Sequence, residues 1–230
     1  MAINLNLVNI RCTVFTDKLV PFSVEMAEII KNNLNKPKAT PVILTDIQNV
    51  IMSVPGQVNQ NWGLIENNKK IFEIRGNKID FFYLNENEDS VCKLVESLIP
   101  QLLSNLGLKA KRLAFAPTYE YTGINLADFY EKTLKTSNFD GAQMQDFSMN
   151  RVYYKTEDIE GFSYNIIYNS AIAVQSGFMI TSSKEERKII IMNDINTRDF
   201  GSQFYSEEQI KIFFKNIANK NQNLLDLILG

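Results

Sequence analysis

Apolar residues recur at helical spacing in two long stretches of this chain, and each stretch carries its own boundary signals. From Ile210 onward, Phe213, Phe214, Ile217, Leu224, Leu225 and Ile228 form one stripe, interrupted at Asn221, with Lys211, Lys215 and Lys220 on other faces. Ser206 and Gln209 in front of it have capping-box spacing, and Tyr205 and Ile210 are placed to staple the turn. This predicts an amphipathic helix running almost to the last residue. The second stretch follows Asp89-Ser90 and uses Val91, Leu94, Val95, Leu98, Ile99, Leu102, Leu103 and Leu106, with Gly107 placed to end it. Pro100 lies inside that pattern and predicts a bend or a split near Glu96. Shorter helices are expected over 23–34, closed by Pro37, and over 125–134.

Between these stretches the pattern turns to strands. Residues 70–75 and 78–84 flank Gly76-Asn77 and predict a hairpin in which Phe72 and Ile74 face Ile79, Phe81 and Tyr83. Residues 62–65 read as a neighbouring strand. Residues 112–122 alternate Leu113, Phe115, Tyr119 and Tyr121 on one face, and Pro117 suggests an edge position or a bulge. Residues 151–156 and 162–168 predict a second hairpin, while Ile189-Ile190-Ile191-Met192 reads as a strand buried on both faces. The order of elements gives an α+β fold of mostly antiparallel sheet packed by two long amphipathic helices. Each half, residues 1–124 and 125–230, reads as a sheet plus a helix within one compact unit. An internal duplication is conceivable, although no residue-level repeat supports it.

Composition then removes functions. The 230 residues are 45% hydrophobic and 22% charged, ample for a core, and the net charge of -2 disfavours the basic face that nucleic-acid binding needs. No apolar run is long enough to cross a bilayer and the N-terminus lacks a secretory pattern, so a cytoplasmic location is expected. The chain has no histidine, which excludes Ser-His-Asp and Cys-His catalysis and histidine-based zinc sites. Cys12 and Cys92 cannot complete a four-ligand zinc site, and two buried free thiols are expected over a disulfide between them. The ten glycines form no phosphate-binding loop.

A few polar clusters remain. In Asn193-Asp194-Ile195-Asn196-Thr197-Arg198-Asp199 the carboxylates of Asp194 and Asp199 are the least implausible magnesium ligands, set against the simpler reading that Asn, Asp and Thr form a turn. The acidic run 85–89 is explained by capping of the helix that follows. Lys109, Lys111 and Arg112 could meet an acidic partner or simply be solvated, and the run 184–188 neutralises itself. Trp62 reads as core, and Tyr119, Tyr121, Tyr153 and Tyr164 read as packing residues or, alternatively, as the lining of a small-ligand cavity. No catalytic, cofactor-binding or metal-binding residue is assigned, and no cofactor.

Three segments carry a resemblance: Trp62-Gly63-Leu64-Ile65, Lys111 through Tyr119, and Ile191 through Asn196 before the capped terminal helix. Together they resemble a sporadically distributed, functionally uncharacterised bacterial α+β protein family. The resemblance implies a cytoplasmic bacterial or phage-related protein, with defence or counter-defence as its setting, and no activity. Family members often carry a histidine in the terminal helix, where this chain has Asn219, Asn221 and Asn223. The expected function is non-enzymatic protein binding, with a protein partner or a second copy in a homodimer. The alternative is a magnesium-dependent enzyme acting on a phosphate ester or nucleic acid.

Overall fold

A computed structural model of the chain describes residues 4–44, 61–122, 138–139, 142–143, 148–178, 185–198 and 203–229. The strands are β1 (Asn4–Thr16), β2 (Thr40–Leu44), β3 (Asn61–Glu66), β4 (Lys69–Arg75), β5 (Lys78–Leu84), β6 (Ala110–Thr122), β7 (Asn138–Phe139), β8 (Ala142–Gln143), β9 (Ser148–Ile159), β10 (Phe162–Phe178) and β11 (Glu185–Thr197). The helices are α1 (Val24–Asn33), α2 (Glu88–Leu106) and α3 (Glu207–Leu229). Among the described residues nine strands make one antiparallel sheet in the order β2-β3-β4-β5-β1-β6-β11-β10-β9, while β7 and β8 pair with each other. The helix expected over 125–134 lies outside the described residues.

Tight turns set the register on both sides of the sheet. Gly76 has a φ of +62° between β4 and β5, and the hairpin brings Phe72 opposite Phe81 and Ile74 opposite Ile79, as the pattern predicts. Asn67 and Asn68 both have positive φ between β3 and β4, a backbone that asparagine tolerates better than most residues. Glu160 and Gly161 do the same between β9 and β10.

The sheet is covered by helices on one face. Ile10, Cys12 and Val14 of β1 lie in rows with Tyr83, Phe81 and Ile79 of β5 and with Pro117, Phe115 and Leu113 of β6, and almost all of these are buried. Tyr164, Ile166, Tyr168 and Ile172 continue this layer on β10. β6 is central, paired with β1 on one side and β11 on the other, so Pro117 is not at an edge. The β6–β11 ladder runs through Met192 and Thr118, resumes at Ile195 and Phe115, and is interrupted opposite Pro117, where an N–H donor is missing. Along its apolar run β11 is buried on one face only: Ile189 and Ile191 are within the core, while Met192 on the opposite face is 48% exposed. Its apolar run therefore marks an apolar outer surface instead of a second core layer.

The helices follow their boundary signals. Gln209 N–H donates to Ser206 Oγ at 3.2 Å and Ser206 N–H to Gln209 Oε1 at 2.9 Å, closing the capping box. Asn87 caps α2, and Gly107 ends it with a φ of +62°. α2 runs through Pro100 as a single helix and is not split near Glu96. Trp62 is fully buried and donates its indole N–H to the Val20 carbonyl at 3.3 Å. Cys12 and Cys92 are buried free thiols; burial pushes Cys12 well up and Cys92 to about 12. Among the described residues no helix is long and apolar enough to cross a membrane.

Where α2 and α3 meet over β6 and β11, the packing is polar. The Tyr119 hydroxyl donates to Glu88 Oε1. Asn221 donates from Nδ2 to Glu88 Oε2 at 2.9 Å and also to the Tyr119 oxygen, while Asn193 Nδ2 donates to Asn221 Oδ1 at 2.7 Å. Asn193 and Asn221 are completely buried. Burial raises the Glu88 carboxyl pKa, against the lowering effect of the bonds from Tyr119 and Asn221.

Removing the shared partner should be costly: Asn221→Ala is expected to lose about 3 kcal/mol in urea unfolding, because it leaves the buried Asn193 amide without its acceptor and takes one donor from both Glu88 and Tyr119, which keep only the bond to each other. Because Glu88 is raised in the fold, the folded chain holds a proton that the unfolded chain has released in the interval between the two pKa values. Stability should therefore fall as pH rises through that interval. A pH series of denaturation curves should show this slope in the native chain and a flatter one in Glu88→Gln.

Candidate functional site

Side chains of opposite parity to the core layer form the other face of the sheet, on which no described helix packs. Strand register arranges them in rows. One row reads Leu84, Asn9, Thr118, Met192, Ala171 and Asn150 from β5 to β9. Beside it lie Phe82, Arg11 and Ala116, then Asp194, Asn169 and Val152. A third row runs Glu73, Asp80, Thr13, Ala114, Asn196, Ile167 and Tyr154. In the first two rows Ala116, Thr118 and Ala171 are small and their neighbours are large. The result is a depression of about 500 Å3 over the centre of the sheet.

Around the depression, charges are neutralised. Glu73, only 2% exposed, receives Lys70 at 2.6 Å and Arg75. Burial alone would raise its carboxyl; the two cations overcome this and hold it below the ordinary value. Asp80 receives Lys78 at 2.9 Å and the Thr13 hydroxyl. Lys188 reaches Glu120 at 3.2 Å, and Arg112 donates to Asn196 Oδ1 at 2.6 Å while lying over the Phe15 ring.

Inside the depression the situation is reversed. The side chains of Arg11, Asn169 and Asp194 make no hydrogen bond or ion pair among the described residues, and Arg11 Nε and Asn169 Oδ1 are nevertheless buried from solvent. Arg11 and Asp194 stand two strands apart with Ala116 between them, so their backbones are separated by about 10 Å. The ladder interruption at Pro117 lies directly beneath.

The two sheet edges differ as sharply. β2 has five residues and includes Pro41, features that blunt an edge. β9 has twelve residues with no proline or glycine, and no described strand pairs with its outer side. Val152, Tyr153 and Tyr154 are consecutive and exposed, Tyr154 to 66%.

Asp194 is therefore found within β11, not in a loop at its end, and the strand continues to Thr197, so the turn expected from Asn193 onward is absent there. Asp199 lies outside the described residues. Among the described residues no three acidic or cysteine side chains gather as a metal site. Tyr119, Tyr121 and Tyr164 lie in the helix-covered core layer, Tyr164 donating to the Gln209 carbonyl at 2.8 Å, while Tyr153 sits at the β9 edge. The first three act as packing and hydrogen-bonding groups in that layer. Sequence reasoning passed over Arg11 and Asn169; the pleat parity of β1 and β10, combined with the register, is the signal that brings them to Asp194. It also passed over Glu88, which turns its carboxylate inward beyond its place at the start of α2.

Comparison with known proteins finds no matching family model, curated protein or solved structure.

Glu73→Gln is expected to cost about 2 kcal/mol at neutral pH, by loss of hydrogen bonds to a charged group. The sign follows from its lowered pKa: the contribution is present above the ordinary carboxyl value and is lost as pH falls through the folded one. Denaturation midpoints of the two proteins should accordingly converge in acid.

Proposed function

We propose that this chain is a non-enzymatic protein-binding protein that forms a homodimer through the outer edge of β9. The unpartnered edge carries the reading. A twelve-residue strand without proline, bearing three consecutive exposed apolar or aromatic residues, is a template for a further strand.

The sequence of β9 is also complementary to itself. In antiparallel pairing about a two-fold axis at Tyr154, Val152 faces Thr156 and Tyr153 faces Lys155 of the second copy, and no like charges meet; Glu157, opposite Arg151, is buried and already holds Lys155, Lys220 and the Tyr168 hydroxyl. Moving the axis to Tyr153 would set Arg151 against Lys155, and moving it to Lys155 would set two lysines face to face. Charge thus favours one register over its neighbours. The strand order is also compatible with two like units, β1 to α2 and β6 to α3, which differ from halves divided at 124/125 in assigning β6 to the second unit. The bacterial or phage defence setting, as a subunit or inhibitor, rests on the family resemblance alone.

Light scattering at micromolar concentration should give the mass of a dimer. Tyr154→Lys and Tyr154→Glu should each weaken association by about 100-fold or more through like charges at the axis, with folding unchanged, and mixing the two should restore a dimer. A wild-type monomer across the micromolar range, with no protein partner recovered from the native host, would remove the reading.

A further inference from the structure

The depression on the uncovered face is lined by two cations, Lys70 and Arg11; Lys70 is held by Glu73, whereas the side chains of Arg11 and Asp194 and the buried Oδ1 of Asn169 have no partners among the described residues, beside charges at Glu73, Asp80 and Glu120 that are neutralised. An unpaired charge contributes nothing to the fold and is costly when shielded from water. Such groups persist at sites where a ligand completes them. The signs then select the ligand. A metal ion is disfavoured because a single carboxylate faces it beside a guanidinium, and a phosphate or dicarboxylate is disfavoured because Asp194 would repel it.

What satisfies both signs is a zwitterion. We propose that the depression binds a free α-amino acid with an apolar side chain, its carboxylate on Arg11 and its ammonium on Asp194. Arg11 offers the planar donor fork that suits a carboxylate. Asn169 is paired with Asp194 across β10 and β11, so its buried Oδ1 lies beside the carboxylate as a second acceptor for the ammonium. Ala116 between the two charges leaves room for the backbone of the ligand, and Met192 and Leu84 supply an apolar flank for its side chain. The volume of about 500 Å3 is within the range of small-molecule sites. The site is clear of the β9 edge, so it stands independently of the dimer.

The test is calorimetric titration of the wild-type chain with each of the twenty common amino acids, up to about 10 mM. Saturable binding of at least one apolar amino acid is expected, with leucine compared against 4-methylpentanoate and isopentylamine, which keep only one of its two charged groups. Arg11→Met and Asp194→Asn should each weaken binding by about tenfold or more, since each removes a charge-assisted bond, while leaving the unfolding temperature of the ligand-free protein unchanged or higher. Absence of binding by every amino acid overturns the proposal. So does equal binding of the one-charge analogues, or full binding by both variants. If instead either substitution dissociates a dimer, the charges belong to a protein interface and the amino-acid site is refuted.

Discussion

The Glu88–Asn221 contact joins parts of the chain 133 residues apart, and the rest of the architecture depends on it. Two helices laid on one sheet could slide over a purely apolar surface with little change in energy. A set of directional bonds among α2, α3, β6 and β11 removes that freedom, because any slip leaves buried polar groups bare. The carboxylate at the start of α2 has no cation within the set; it is held by a phenol and an amide, so it specifies position while adding little to net stability. Asn221 breaks the apolar stripe of α3 and takes part in three of the four bonds, the fourth being that from Tyr119 to Glu88.

Much of the fold was legible because local chemistry and tertiary structure agree. The Ser206 capping box, Gly107, the Gly76 turn and the alternation of β6 all act over a few residues, and each is where the pattern places it. The misjudged features depend on neighbours that the sequence does not reveal. Pro117 reads as an edge or bulge residue; the strand is central, with a register irregularity beside Pro117 where Leu7 and Asn9 of β1 face Tyr119 and Thr118, and a broken ladder toward β11. The run Ile189 to Met192 looks fully buried because periodicity cannot distinguish a second core from an exposed apolar surface.

The candidate site was legible only in fragments. Asp194 stood out by its type, but as a ligand for a metal in a loop. Its actual surroundings come from β1 and β10, strands 25 residues and more away in sequence by any path, and no linear motif joins Arg11, Asn169 and Asp194. Pleat parity assigns each to a face; only register assigns them to one another. Tyr119, Tyr121 and Tyr164, read from the sequence as packing residues, are interior supports, while Tyr153 stands exposed at the β9 edge.

The unequal edges of the sheet have a consequence for assembly. A strand end that can be extended on one side only behaves as a monovalent connector. Once two such edges have met, the outer boundaries of the joined sheet are both β2, short and interrupted by Pro41. In the proposed homodimer growth would therefore stop at two copies, because neither described edge that remains is a long unbroken strand able to nucleate a fibre.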